Sequence, residues 1–249
     1  MLAVFALRLA AGMIGCLLLL PPAIINPRFF RTHFLTALAL AGLAFAGIRD
    51  SAPAALLALL GAAMAVAFLG SLVWGLEGAP GGRTLIVLTT LILGAGLVWV
   101  ETLSPEPAPL VPVLLGDLTS AALLGSALTA MLLGHSYLIA PTMSLKPLMR
   151  LLAVLAVAAV ARLAVDGYAL GCWTASHSLV NLKGGDAVLW LPLRWLLGFL
   201  APLALDWMAW QTARIRSTQS ATGILYVVVI FCFLGELTSQ LLRETGMTL

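Results

Sequence analysis

The stretch GHSYLIAP, residues 134–141, ends one long apolar segment and turns through a proline towards the next. Lys146, Pro147 and Arg150 then open a second apolar segment on basic residues. Residues 15–31 have the same order of glycine, prolines and arginine before another apolar run. Such turns between apolar segments are typical of helices that cross a membrane and reverse at its surface.

Composition supports this interpretation for the whole chain. Hydrophobic residues make up 62% of the 249 residues, and charged residues make up only 9%. The mean hydropathy is +1.09. A soluble domain carries about 25% charged residues, so this chain cannot build a surface that faces water. We therefore predict an all-α, polytopic transmembrane helical bundle. The net charge of +3 is scattered between apolar runs, which argues against a nucleic-acid partner.

A transmembrane helix needs about 20 predominantly apolar residues. Eight segments meet or approach this length, and each is bounded by proline, glycine or charge. They cover approximately residues 2–25, 33–49, 53–76, 84–101, 118–140, 147–170, 186–212 and 219–241. The whole chain, 1–249, is thus expected to form a single integral membrane domain.

An internal repeat of four plus four helices is one explanation of this pattern, with halves 1–117 and 118–249. A shift of 119 residues superimposes three pairs of the turn residues, namely Gly15 on Gly134, Pro22 on Pro141, and Arg31 on Arg150. Apolar sequences also align by chance. An internal repeat and a chance similarity therefore both stay open as explanations.

Orientation follows from the basic residues in short loops, which favour the cytoplasmic side. The loops after segments 1, 3, 5 and 7 carry Arg28, Arg31, Arg83, Lys146, Arg150, Arg214 and Arg216. The other side has Arg8, Arg49, Lys183 and Arg243, accompanied by most of the acidic residues. We therefore predict a multi-pass protein of the bacterial inner (cytoplasmic) membrane with both termini in the periplasm.

Ionisable groups inside the hydrocarbon region cost about 2.5–3.5 kcal/mol each on insertion scales, so each needs a reason. On the predicted outer side, Arg162 and Asp166 share one face of segment 6, because they are four residues apart. Arg194 and Glu236 fall at a similar depth in segments 7 and 8. We predict one outer polar cluster of these four residues, rimmed by Trp190, Trp195 and Tyr168.

Two interpretations of the outer cluster remain. In the first, ion pairs hold segments 6, 7 and 8 together, and the aromatic residues lie in the interfacial belt. In the second, the cluster is a polar site for a quinone or a proton. Arg162 or Arg194 would orient an oxygen there, and Glu236 would exchange a proton.

A second candidate cluster, on the inner side, consists of His135, Tyr137, Asp206 and Gln219. Asp206 is expected to accept a hydrogen bond from His135 and leave the second ring nitrogen for a ligand. The alternatives are a histidine satisfied by a neighbour and, for Gln219, a place in the cap of segment 8. Haem is not expected, because His33 begins a helix and His177 falls in an outer loop. The three cysteines are far apart and no metal-binding motif is present, so no metal site is expected.

Three classes of function fit these features. The first is a membrane subunit of a bacterial respiratory or electron-transfer complex, with a quinone-interacting site and no haem of its own. Its expected partners are the lipid bilayer and other membrane or redox subunits. Its non-covalent ligands would be quinone and bound phospholipid. The second class is a small multi-pass transporter or channel. The third is a structural or assembly protein that binds lipid or partner helices. In none of them is the chain clearly an enzyme by itself.

Overall fold

In the part of the chain that the structure describes, eight helical spans are long and apolar enough to cross a membrane. The computed structural model describes residues 1–76, 80–103, 110–140, 142–176 and 185–244, and the regular elements in these ranges are all helical. Large apolar side chains such as Leu91, Leu118 and Val157 are more than 60% exposed on the outside of the bundle. A surface of this kind is stable in lipid, and the predicted all-α multi-pass membrane fold is confirmed.

The helices follow one another along the chain without any intervening strand in the described ranges. They are α1 (Leu2–Cys16), α2 (Pro27–Ile48), α3 (Ala54–Val73), α4 (Gly82–Thr102), α5 (Leu110–Ile139), α6 (Lys146–Ser176), α7 (Gly185–Trp195), α8 (Ala201–Arg214) and α9 (Thr218–Glu244). A π-helical turn, Leu196–Leu200, joins α7 and α8 into the seventh span. Successive spans alternate in direction, so α1 begins and α9 ends at the same end of the bundle. We call this the termini end and the other the opposite end.

The helix boundaries differ most from the predicted segments at the end of α1 and at the beginning of α5. Helix α1 ends at Cys16, and a 3₁₀ turn at Leu17–Leu19 takes the chain out of the helix before Pro21 and Pro22. Neither proline has an N–H to continue the helical hydrogen bonds. Helix α5 begins at Leu110, eight residues before the predicted start. Pro112 lies in its first turn, where a missing N–H breaks no helical hydrogen bond. Asp117 therefore lies inside the fifth span.

Helices α1 and α5 form the centre of the bundle. Helix α1 packs against α2, α4 and α5, while α5 packs against α1, α6 and α9. Within the candidate spans, 67% of the first and 50% of the fifth is buried inside the protein. The remaining helices surround this central pair and present one face to lipid.

Small residues allow α1 and α5 to approach closely. A Cβ atom on Gly12 would overlap the carbonyl of Ala121, and one on Gly125 would overlap the backbone of Gly12. Gly96 packs against Leu60, since its Cβ would lie 3.0 Å from a leucine methyl. A Cβ atom on Gly94, two residues earlier in the same helix, would meet no other atom within 4 Å. Helix contact therefore depends on a glycine's neighbours as well as its size.

The helices of the two halves make contacts in the same order. In the first half, α1 contacts α2 and α4, and α3 contacts both α2 and α4. In the second half, α5 contacts α6 and α9, and the seventh span contacts both α6 and α9. An old duplication would produce this arrangement, and the repeat itself stays a prediction.

The α1–α5 crossing predicts opposite effects for two glycine substitutions. Gly125→Ala should lower the unfolding free energy by about 1–3 kcal/mol, because the two backbones must separate. Gly94→Ala should leave stability unchanged or raise it by up to about 1 kcal/mol, because alanine is the better helix former. Thermal unfolding of the purified variants in detergent measures both. Equal melting temperatures would contradict the proposed crossing.

Candidate functional site

Ionisable side chains from six spans meet in one buried cluster near the termini end. Ion pairs join Arg8, Glu101, Asp117, Arg162, Asp166, Arg194, Glu236 and Arg243, and we call these residues the charge network. Counted over the described side chains, four arginines face four carboxylates, so the fully ionised network is neutral. Such neutrality keeps a buried cluster free of uncompensated charge, which is the costly arrangement in lipid.

The charge network has two parts, and Glu236 contacts both. One part contains Arg162, Asp166 and Arg194, and the other contains Arg8, Glu101, Asp117 and Arg243. The Oε1 atom of Glu236 accepts hydrogen bonds from Arg162 Nε at 3.1 Å and from Arg194 Nη2 at 2.8 Å. Its Oε2 atom accepts a short hydrogen bond from the hydroxyl of Ser120 and lies 3.8 Å from Arg8 Nη1. Glu236 is 0% exposed. One carboxylate thus contacts three guanidinium groups from three helices.

Asp166 links the two arginines, Arg162 and Arg194, that also contact Glu236. Arg162 Nη1 lies 2.5 Å from Asp166 Oδ1, one helical turn along α6. Arg194 donates to Asp166 Oδ2 from both Nε and Nη2, at 2.9 and 2.7 Å. The structure therefore brings together the four outer residues that the sequence places at a common depth.

The other part of the charge network was missed by the sequence reasoning. Arg8 Nε donates to Asp117 Oδ1 at 2.8 Å, and Arg8 Nη2 donates to Glu101 Oε1 at 3.1 Å. Arg243 also contacts Glu101, at 3.4 Å. The sequence reasoning counted Arg8 and Arg243 among loop charges and placed Asp117 in a loop. An arginine within the apolar run of α1 was the available signal, because such a residue needs a buried partner.

The glycine crossings set the distances between these charged groups. Arg8 and Asp117 meet one turn before Gly12 meets Ala121, so the close α1–α5 approach brings the pair within hydrogen-bonding distance. A second crossing lies beside Arg194 and Glu236. There, a Cβ atom on Gly235 would overlap the backbone of Gly198. The Arg8–Asp117 and Arg194–Glu236 contacts therefore both depend on glycines at the neighbouring helix crossings.

A π-helical turn begins two residues after Arg194. At this turn, the backbone N–H of Ala201 donates to the carbonyl of Leu196, a five-residue step. Pro202 then has no N–H with which to resume the ordinary ladder. Phe199, within the turn, lies under the guanidinium of Arg194 at 4.4 Å from the ring centroid. Single π turns recur at functional sites, because they reorient neighbouring side chains.

The predicted aromatic rim is only partly in place. Tyr168 is 72% exposed on the outside of α6. Trp190 is half-buried and packs beside Leu242, while Trp195 packs edge-on against Phe199 at 5.6 Å. Tyr168 and Trp190 therefore belong to the lipid-facing belt of the bundle. Trp195 contacts the cluster through Phe199.

Among the described residues, several buried polar atoms in and beside the network have no hydrogen-bond partner. They include Arg8 Nη1, Arg194 Nη1, Asp117 Oδ2, and both Oε1 and Nε2 of Gln240. Gln240 follows Glu236 by one helical turn, so it lies on the same face of α9. Buried polar groups are rarely left unpaired, so these atoms provide hydrogen-bonding capacity for water or for the oxygen of a ligand.

The residues predicted to form an inner cluster do not form one. His135 and Gln219 are exposed, and no hydrogen bond joins His135 to Asp206 among the described residues. Asp206 is 4% exposed, and no other described residue hydrogen-bonds to its Oδ1 atom. Tyr137 is buried and donates to the carbonyl of Ser144 at 2.6 Å. The side chains diverge because alternating helix faces, not sequence depth alone, decide which residues meet.

The other histidines have separate surroundings. His33 is buried, and its Nδ1 donates to the carbonyl of Phe29 at 2.8 Å. His177 lies outside the described residues. Within the described ranges, no three His, Cys, Asp or Glu side chains are grouped as metal ligands would be.

Comparisons with protein-family models, with curated proteins and with solved structures gave no significant match.

The charge network predicts strong coupling between Asp166 and Arg194. Asp166→Asn and Arg194→Gln should each lower the unfolding free energy by about 3–5 kcal/mol, because each leaves a buried charge uncompensated. The double variant should cost less than the sum of the two, since it removes a neutral pair. Denaturant unfolding of the purified protein in micelles provides the double-mutant cycle.

The exposed pair Arg49 and Asp50, whose charged atoms are 3.4 Å apart, is the matched control. Its side chains are 66% and 89% exposed, so the corresponding cycle should give a coupling of less than about 1 kcal/mol. Equal coupling energies in the two cycles would contradict the buried network.

Proposed function

We propose that the protein is an integral membrane subunit of a bacterial electron-transfer complex, and that its charge network exchanges protons with a quinone. The observation that carries this proposal is the buried carboxylate of Glu236, held by three arginines next to polar atoms without a hydrogen-bond partner among the described residues. Ionisable groups at this depth are more often functional than incidental, because inserting them is costly.

The residues of the network suit the separate requirements of quinone chemistry. Reduction of a quinone to a quinol takes two electrons and two protons, and its carbonyl oxygens need hydrogen-bond donors. Guanidinium groups donate hydrogen bonds but do not release protons in proteins. Arg8 and Arg194, whose Nη1 atoms have no hydrogen-bond partner among the described residues, would orient an oxygen. The carboxylates and the Ser120 hydroxyl would pass the protons, and a redox-active partner subunit would supply the electrons.

Charge balance gives a reason for coupling protons to electrons at this site. The described network is neutral when its eight members are ionised. An electron that arrives on a nearby quinone adds a negative charge in a medium of low dielectric constant. Protonation of a carboxylate or of the quinone then restores neutrality, and electrostatics favour that step. A neutral buried network can therefore respond to reduction by taking up a proton.

A second candidate, a structural or assembly role, is favoured by one specific observation. Each described carboxylate of the network contacts an arginine, and Arg8, Arg162, Arg194 and Glu236 are 0% exposed. Ion pairs of this kind would hold six spans together without any ligand. A transporter has less support, because the π turn in the seventh span is formed by apolar residues, Leu196–Leu200, and the span continues through it.

We also propose, from the distribution of basic residues between the two ends, that the termini end faces the periplasm of a bacterial inner membrane. Two of the four basic residues counted on that side, Arg8 and Arg243, contribute to the network and not to a surface loop. The seven basic residues of the opposite end lie in or next to its turns. The difference in loop charge between the two ends is therefore larger than the sequence count indicated.

Thiol labelling tests this orientation. In a Cys172→Ser background, Ser51→Cys and Ser220→Cys place exposed thiols at the termini end and the opposite end; Cys16 and Cys232 are buried. In intact cells with a permeabilised outer membrane, an impermeant maleimide should label the first variant and not the second. Labelling of the Ser220→Cys variant alone would contradict this orientation and indicate the reverse one.

The proposed function predicts that quinol turnover depends on the network. The protein is purified in mild detergent with its partners, which are identified by mass spectrometry, and extracted lipid is analysed for quinone. Glu236→Gln should lower turnover of the associated complex at least tenfold per folded complex, while exposed Asp50→Asn should leave it unchanged. A reduced-minus-oxidised spectrum reports whether the subunits carry redox groups.

Ser120→Ala separates proton transfer from stability, because it removes the hydroxyl that donates to Glu236 without removing a charge. Ser126→Ala is the matched control, since this buried serine on the same helix donates only to carbonyls of its own helix. Slower turnover in Ser120→Ala alone supports the proposal. Unchanged turnover in both Ser120→Ala and Glu236→Gln would exclude the quinone site and favour the structural role.

A further inference from the structure

We infer that the opposite end of the bundle carries a binding site for a phosphate-bearing anion, presented by the headgroup of an anionic phospholipid. The site is a cavity of about 490 Å³ between the beginning of α6 and the end of α8. It is remote from the charge network, and the inference does not depend on the proposed function. Volumes of this size are ordinary for small-ligand sites.

Four cationic side chains line this cavity. They are Lys146, Arg150, Arg214 and Arg216, and the other lining residues are Ser144, Leu145, Met149 and Ala213. No carboxylate is among these lining residues, and the described salt bridges involve none of the four cations. Like charges gathered without a counter-ion repel one another, so an anion with several oxygens would stabilise the group. Arginine matches phosphate oxygens with paired N–H donors.

Arg216 occupies a backbone conformation that residues other than glycine adopt with difficulty. Its φ angle is 59°, in the left-handed region. The turn is a Schellman cap of α8, in which Arg216 N–H donates to Ala213 and Ser217 N–H donates to Thr212, at 2.9 and 3.0 Å. Glycine is the usual residue at this position. An arginine there costs conformational free energy and adds a cation to the cavity.

Tyr137 holds the wall of the cavity that is formed by the turn before α6. Its buried hydroxyl donates to the carbonyl of Ser144 at 2.6 Å, in the turn that leads into α6. The Ser144 hydroxyl oxygen in turn lies 3.4 Å from the backbone nitrogen of Lys146. The Lys146 N–H donates to this oxygen, so a short, anchored turn holds the Ser144 hydroxyl group at the cavity wall. Tyr137, placed by the sequence in a ligand-binding cluster, has a positioning role here.

Exposed apolar residues at the helix ends of this side of the bundle favour a lipid over a soluble anion. Ile215, between two of the lining arginines, is 78% exposed, and Ile139 at the end of α5 is 80% exposed. Both stand where helices end at the membrane surface, so acyl chains can cover them while the headgroup occupies the basic cavity. Basic pockets between transmembrane helices are suited to anionic headgroups.

Lipid binding by the purified full-length protein tests the inference. Native mass spectrometry and thermal unfolding are measured with added phosphatidylglycerol, phosphatidylcholine or inorganic phosphate. Wild type should retain phosphatidylglycerol and melt at a higher temperature with it than with phosphatidylcholine. The double variant Lys146→Gln/Arg214→Gln should bind phosphatidylglycerol at least tenfold more weakly. Arg28→Gln/Arg83→Gln, which removes the same charge from exposed positions at the same end, should bind as wild type does.

Arg216→Gly distinguishes loss of the site from loss of folding. Glycine relieves the left-handed backbone, so the ligand-free melting temperature should rise or stay unchanged while phosphatidylglycerol binding weakens. If inorganic phosphate alone stabilises wild type, with the same dependence on Lys146 and Arg214, the phosphate chemistry stands and the source is a soluble anion. If the pocket variant and the Arg28/Arg83 control bind phosphatidylglycerol and phosphate equally, the inference is overturned.

Discussion

A charged side chain inside a bilayer must find its partner within the protein, and this requirement determines how the termini end is built. The arginines and carboxylates of the charge network come from helices that lie far apart along the chain. Each was inserted at a cost, and the cost is offset only when the spans are assembled. The network therefore joins the two halves of the bundle through electrostatic contacts, which the apolar faces of helices cannot replace in lipid.

Close backbone contact makes that pairing possible. Gly12 and Gly125 bring α1 against α5, while Gly198 and Gly235 bring the seventh span against α9. In each place, an ion pair or a hydrogen-bonded carboxylate lies within a turn of the crossing. Larger residues there would separate the helices, and the charged groups would lose their short contacts. The two kinds of residue, the smallest and the most polar, act together for this reason.

Parts of the site could be read from the chain. The four-residue spacing of Arg162 and Asp166 fixes a common helix face, and the positions of Arg194 and Glu236 within their apolar segments fix a common depth. The pairing of Arg8 with Asp117 was not predicted, because the two residues are 109 positions apart and because Asp117 was assigned to a loop. The inner residues illustrate the opposite error: His135 and Asp206 belong to the same half of the bundle, but only Asp206 is buried.

The sequence by itself determined that the chain is dissolved in lipid as eight helices, because composition and segment length decide which solvent a polypeptide can face. It also determined that some charges must be buried. Only the tertiary structure decided which charges meet, since pairing depends on helix rotation and on the separation of neighbouring backbones. The basic cavity at the opposite end was likewise invisible in sequence, because its walls come from two helix ends that packing brings together.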